Sequence, residues 1–253
     1  MSQPRSSIYR TALQVPSKRI AAMNDQELST LMGQLLRAQA YRSGLPLSGI
    51  RVNTEGRAKD DGYDGWSDGS TEWDEWLDQS DTCWQFKAGK SGEPARLTGE
   101  VRKRIPQETL AGCGRFVVVA SGSTNGKKGE DERLDVLTNE AVRANLVAER
   151  IQVFGSERIA SWCNQHPSVA ACWVGRSEGV WTLSDWQRSD EHQVPWQASE
   201  EVEAQLLTRQ SDLDFVTGSV SHLHIWGPPG VGKTRFALDL CRGAAWRDSV
   251  LYI

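Results

Sequence analysis

No stretch of this sequence is long and apolar enough to cross a membrane. Its clearest apolar run, Phe116 to Ala120, falls far short of the roughly 20 residues that a spanning helix needs. The start, Met1 to Arg5, has neither the apolar core nor the small-residue cleavage site of a secretory signal. Cysteine is scarce as well. Five residues, at 83, 113, 163, 172 and 241, are odd in number and scattered, which excludes a disulfide framework and predicts a cytoplasmic, reducing setting. Internal repeats and low-complexity tracts are lacking, so a solenoid is excluded. An excess of positive charge is also missing, since 29 Lys and Arg face 33 Asp and Glu for a net charge of −4. Any contact with nucleic acid must therefore come from a local patch.

What is present reads as a globular α/β chain. With 253 residues, 38% hydrophobic and 25% charged, there is room for one medium domain and part of a second. Residues 1–20 show no sustained period and read as an arm. From Asn24 or Asp25 as a cap, Leu28, Leu31, Met32, Leu35 and Leu36 fall on one face of a helix over 25–42, stopped by Gly44 and Pro46. Leu47–Asn53 reads as a first strand, Tyr63–Trp66 as a short second one, and 82–88 as a third. Between the last two lies an acidic excursion, 67–81, with Glu72, Asp74, Glu75, Asp78 and Asp81 beside Trp73 and Trp76. It predicts a turn or two of helix, with the tryptophans as packing residues. Its carboxylates suggest a device that repels phosphate until assembly moves them.

Further along, Pro106–Ala111 reads as helix, Arg115–Ser121 as the strongest strand, Glu132–Arg150 as helix, Ile151–Phe154 as strand and Glu157–His166 as helix. The resulting mixed domain covers 21–168. A connector, 169–215, follows, with two Trp-bearing pieces and a helical patch at 199–208. At 216–253 a new pattern begins, with strand His222–Trp226, helix Arg235–Arg242 and strand Val250–Ile253.

Two motifs carry chemistry. In Cys83-Trp84-Gln85-Phe86-Lys87, strand alternation sends Gln85 and Lys87 to a polar face and Trp84 and Phe86 to a core face. A lysine on a half-buried strand, downstream of the Gly-flanked aspartates of 60–65, is costly unless something anionic meets it, such as a phosphate held by a metal ion. Basic residues crowd the following segment: Lys87, Lys90, Arg96, Arg102, Lys103 and Arg104. The second motif, Gly227 to Thr234, fits G-x-x-x-x-G-K-[ST] in full, between a predicted strand and helix. Gly227, Gly230 and Gly232 let backbone N–H groups turn toward phosphates, Lys233 reaches the β and γ oxygens, and Thr234 ligates Mg²⁺, so the cofactor here is ATP. The downstream acid of a complete NTPase lies outside the sequence, so this chain is expected not to hydrolyse ATP alone. Cys163, His166 and Cys172 lack the ligand number and spacing of a zinc site.

Residues 24–166 resemble the PD-(D/E)XK restriction-endonuclease-like superfamily in its Mrr-like branch. The resemblance implies a restriction-endonuclease-like mixed sheet flanked by helices, with Glu27 as the acidic residue of the first helix. It also implies an aspartate at the end of the second strand, Asp64 or alternatively Asp61, and Gln85 and Lys87 as the (E/Q)-x-K pair. Asp64, the Gln85 side-chain oxygen and the Phe86 carbonyl would then hold Mg²⁺, and Lys87 would orient the attacking water. With the loop at 227–234 behind it, the order resembles the bacterial antiviral STAND NTPases. That implies a cytoplasmic, ATP-regulated effector that assembles as a homo-oligomer, such as a tetramer, when a C-terminal sensor absent from this sequence meets a phage protein, and then cuts double-stranded DNA. An NTP-dependent restriction enzyme, or a non-catalytic scaffold binding DNA or a partner, are the alternatives.

Overall fold

The computed structural model describes residues 14–53, 63–69, 74–122, 126–174, 181–183, 186, 199–214, 225–242 and 251–252. It is an α/β protein with a five-stranded mixed sheet flanked by helices. The strands β1 (Ile50–Val52), β2 (Gly65–Ser67), β3 (Thr82–Lys87), β4 (Arg115–Ala120) and β5 (Ile151–Gly155) lie side by side in chain order. The first three form an antiparallel meander, and β3, β4 and β5 run parallel. Parallel neighbours need crossovers, supplied here by helical segments. Between β3 and β4 come α3 (Pro94–Leu97) and α4 (Arg104–Ala111); between β4 and β5 comes α5 (Gly126–Arg143).

Two apolar layers sandwich the sheet. On one face Trp84, Phe86, Val117, Val119 and Phe154 pack under α1 (Ser17–Ala21), α2 (Asp25–Arg42), α6 (Ser156–Asn164) and α7 (Pro167–Val174). On the other, Cys83, Phe116, Val118 and Val153 pack under Leu97, Leu110 and Leu137 of α3, α4 and α5. Every residue of β4 is buried, as a continuous Phe-Val-Val-Val run in a doubly covered sheet requires. The polar face expected for β3 is corrected by the same fact, since α3, α4 and α5 lie over Gln85 and its neighbours.

Helix ends follow their caps. Asn24 and Glu27 form a reciprocal capping box at the start of α2, and Gly44, at φ 69°, ends it with the Leu45 N–H donating to the Ala40 carbonyl. The helix expected over 132–150 instead spans 126–143. Asn145, at φ 56°, closes it in the same left-handed way, with Asn145 and Leu146 donating to Val142 and Ala141. Part of the N-terminal arm is the short helix α1, and Pro167 opens α7, because proline suits a first helical turn. Among the described residues 74–81 contain no helical turn; Glu72 and Trp73 lie outside the described residues.

The excursion is instead pinned by its own acids. Asp74 accepts N–H bonds from Trp76 and Leu77 with one oxygen, and from the Gln39 amide at 2.6 Å with the other. Asp78 accepts from Ser80 and pairs with Arg115 at 3.7 Å, while Asp81 accepts from the Gly69 N–H. These carboxylates hold the loop together and tie it to Gln39 and Arg115. Trp76 stacks on Trp162 at 4.8 Å in the core, the packing role expected of it.

Residues 169–215 serve two neighbours. Val169 and Ala170 of α7 enter the first core, and Trp173 Nε1 donates to Gln34 of α2 at 2.8 Å. Beyond it β6 (Trp181–Thr182) pairs antiparallel with β7 (Leu251–Tyr252), and Leu183 and Trp186 pack on Leu238 of α9 (Lys233–Arg242). The patch expected at 199–208 is α8 (Glu200–Asp214). Of the strand expected at 222–226, Ile225 and Trp226 join no ladder among the described residues, and 222–224 lie outside them. No helix among the described residues is long and apolar enough to cross a membrane.

His166 makes the fold sensitive to acid. Buried behind α2, it donates from Nε2 to Gln39 Oε1 at 2.9 Å, beside the Trp162 indole N–H at 3.1 Å. The Gln39 oxygen only accepts, because its nitrogen donates to Asp74, so His166 carries its proton on Nε2. Burial pushes its pKa down to about 4, with the Arg42 charge acting in the same direction and Asp74 against it. The unfolded chain, titrating near 6.5, therefore binds more protons between pH 6.5 and 4. Stability is full above that window and falls with pH through it, by about 2 kcal/mol at pH 5. Denaturant midpoints at pH 7.5 and 5 check this: wild type loses stability on acidification, His166→Gln loses much less, and equal slopes contradict it.

Candidate active site

The carboxyl end of β3 gathers the polar residues that the sequence singles out. Asp64 stands one residue before β2, where its N–H donates to the Trp84 carbonyl at 2.8 Å and continues the β2–β3 ladder. Its carboxylate reaches along β3. One oxygen accepts from the Phe86 N–H at 2.6 Å and from the Gln85 side-chain amide. Backbone groups of one strand residue point to the same side, so the Phe86 carbonyl also faces the strand edge where Asp64 sits. Asp61 lies outside the described residues.

Gln85 is 3% exposed, and its Oε1 is buried without a hydrogen-bond partner. An acceptor left in that state costs about 1–3 kcal/mol. Turning the amide over would aim Oε1 at the Asp64 carboxylate, and two oxygens facing one another there repel unless a cation lies between them. Asp64, Gln85 and the Phe86 carbonyl thus form a donor set of one carboxylate and neutral oxygens. This suits Mg²⁺, which takes one or two carboxylates and leaves its other positions to water and substrate phosphate. Among the described residues no group of three or more His, Cys, Asp and Glu side chains forms a metal cluster.

Lys87, the last residue of β3, shares its face with Gln85 and places Nζ 3.2 Å from Glu100 Oε1. The strand end is held firmly. The 3₁₀ turn Gly89–Gly92 folds back so closely that a Cβ on Gly92 would lie 3.0 Å from the carbonyl oxygens of both Lys87 and Ser121. Arg133 of α5, 1% exposed, clamps that turn by donating from Nε to the Gly92 carbonyl at 2.6 Å. Ends of parallel strands are where open α/β sheets bind ligands. The basic segment is partly neutralised, since Arg102 pairs with Glu140 at 2.6 Å, while Lys90 and Arg96 are exposed.

Glu27 does not join this group. Its Oε2 accepts from the Asn24 N–H at 3.0 Å and its Oε1 pairs with Arg19 of α1 at 2.9 Å, so both oxygens staple α1 to α2. The Asn24 bond first, and then Arg19, hold its pKa below the usual range. The acid of this helix that reaches the sheet is Asp25, whose Oδ1 accepts from the Ala88 N–H at 3.0 Å, one residue beyond Lys87. Residues two apart on a helix face different ways, and that spacing was the available signal.

At the other motif, Gly230 and Gly232 take φ of 80° and 84°, which glycine adopts without penalty. Lys233 opens α9 and folds its Nζ over the loop, donating to the carbonyls of Gly227 at 2.9 Å and Pro228 at 2.7 Å. Thr234 is exposed beside it. Comparison with protein-family models, with curated proteins and with solved structures gives no match for this chain.

Removing the Glu27 carboxylate undoes half of the capping box and the Arg19 pair together. Glu27→Ala is expected to lower the stability measured in a denaturant melt by about 1 kcal/mol. An unchanged midpoint would show that the staple does not matter.

Proposed function

We propose that the domain built on the five-stranded sheet is a Mg²⁺-dependent double-stranded DNA endonuclease of the PD-(D/E)XK type. One observation carries the reading: the Asp64 carboxylate lies against the Gln85 amide and the Phe86 N–H, at the strand end where Lys87 emerges. Order and strand direction support the Asp and Q-x-K arrangement, while the twenty residues between Asp64 and Gln85 exceed what a tight hairpin needs. The antiparallel β1–β2–β3 meander followed by parallel β4 supports the same type.

The chemistry divides among few groups. Mg²⁺ bound here supplies charge neutralisation for the phosphate and a more acidic water. Asp64 holds it, and Gln85 turns its orphaned oxygen inward to do the same, relieving the cost of leaving that oxygen unpaired. Lys87 orients the water and offsets negative charge that grows on the phosphate oxygens. With a single carboxylate in the set, metal binding is weak until DNA brings its own oxygens, so cation and substrate bind together.

The loop at 227–234 supports ATP binding, with Lys233 leaving the Gly227 and Pro228 carbonyls for the phosphates and Thr234 turning to Mg²⁺. Because β6, Leu183 and Trp186 pack on the segment carrying that loop, the connector ties nucleotide state to the nuclease. The order of the parts fits an antiviral STAND-type effector, activated by homo-oligomerisation after a phage protein is sensed.

Plasmid DNA with Mg²⁺ and ATP, given to the oligomerised or full-length protein, tests the site. Wild type is expected to cut, and Asp64→Ala and Lys87→Ala each to slow cleavage by about 100-fold or more. Undiminished cutting by Lys87→Ala would overturn the assignment.

A further inference from the structure

One buried carboxylate near Lys87 lies outside the donor set of Asp64, Gln85 and Phe86. Glu100 lies in the turn between α3 and α4, 8% exposed, on a segment that the sequence marks as basic. Its Oε1 is 3.2 Å from Lys87 Nζ and its Oε2 is 2.6 Å from Lys103 Nζ. The Lys87 and Glu100 side chains keep 19% and 11% of their surface, whereas Arg104 and Glu108 on the next helix keep 64% and 61%. An exposed pair such as the latter contributes little and constrains little. A pair withdrawn from water costs desolvation of both ions, and an apolar pair would pack there as well, so its merit lies in fixing geometry.

The geometry to be fixed is that of Lys87. A lysine carries its ammonium on a flexible stem, and a charge that must meet a phosphate loses effect when it wanders. Strand β3 fixes only the backbone. Glu100, set in a turn whose neighbours Leu97 and Val101 are fully buried, supplies the second fixed point. Lys103 balances the charge of the other oxygen from 2.6 Å, although that oxygen makes no hydrogen bond, so the trio keeps one net positive charge and a phosphate arriving at Lys87 still meets attraction.

We infer that Glu100 is the positioning residue of the nuclease site: it holds the Lys87 ammonium at the carboxyl end of β3, and Lys103 holds Glu100. This role rests on the nuclease reading. Glu100 acts through Lys87 and touches no substrate. A carboxylate seated on two ammonium groups also has the form of a latch in the phosphate's place, and the two roles differ in sign. Removing a latch speeds cleavage; removing a positioning residue slows it.

The test uses the assembled, full-length protein with plasmid and Mg²⁺, with and without ATP. Glu100→Gln keeps the shape and loses the charge. It is expected to lower kcat about tenfold or more while the half-saturating plasmid concentration stays within about twofold. Glu100→Asp, which restores the carboxylate, is expected to recover activity to within about threefold of wild type. Melting curves accompany each variant. Cleavage by Glu100→Gln at or above the wild-type rate, or a loss that tracks lowered melting temperature and is not recovered by Glu100→Asp, overturns the role. If wild type leaves plasmid intact, the nuclease reading falls and the role with it. If wild type cuts and Glu100→Gln cuts equally well, only the role of Glu100 falls.

Discussion

Strand β3 is covered on both faces, yet one of those faces carries Gln85 and Lys87. A polar amide and an ammonium withdrawn from water must find partners or be left with a cost of a few kcal/mol. Asp64 takes the Gln85 nitrogen and Glu100 takes the Lys87 ammonium, so the two acids come from opposite sides of the strand in sequence, one from the meander and one from the crossover. The Gln85 oxygen stays without a partner. Much of the surrounding structure serves this strand end: the tight turn at Gly92, the Arg133 clamp beneath it, and Asp25 on the Ala88 N–H.

That economy separates stability from function. Gln39, Asp74, Trp162 and His166 form a satisfied network that ties the 74–81 loop to α2 and α6. Arg115, pushed down to about 10 by burial against the pull of Asp78, fastens the same loop through the Trp76 carbonyl. There every donor has an acceptor. At the β3 end the Gln85 oxygen has no hydrogen-bond partner, a cost that the proposed cation would relieve.

Periodicity and spacing made the frame legible. The leucine stripe of 28–36 marked α2, the Phe-Val-Val-Val run marked β4, and strand phase put Gln85 and Lys87 on one face, while Asp64, with Asp61 as the alternative, was named only through the family resemblance. What stayed hidden depends on contacts between distant residues. Nothing local shows that α3, α4 and α5 cover the second face of β3, or that Glu100 would leave the basic run around it for Lys87. Glu27 looked suitable as the acid of the first helix, but its carboxylate was already committed to the cap, and Asp25 faces the sheet. The end of α5 hung on Asn145 adopting a conformation usually left to glycine.

The central claim is that Asp64 and Gln85 share a cation that arrives with DNA. A structure of the protein with a short duplex and Ca²⁺, a hard cation that takes oxygen ligands, tests it most directly. The account predicts a cation about 2.3–2.6 Å from an Asp64 oxygen and from Gln85 Oε1, with a phosphate oxygen completing the shell and the Gln85 nitrogen turned away from Asp64. A cation bound elsewhere, or Gln85 still donating to Asp64 with DNA in place, would contradict it.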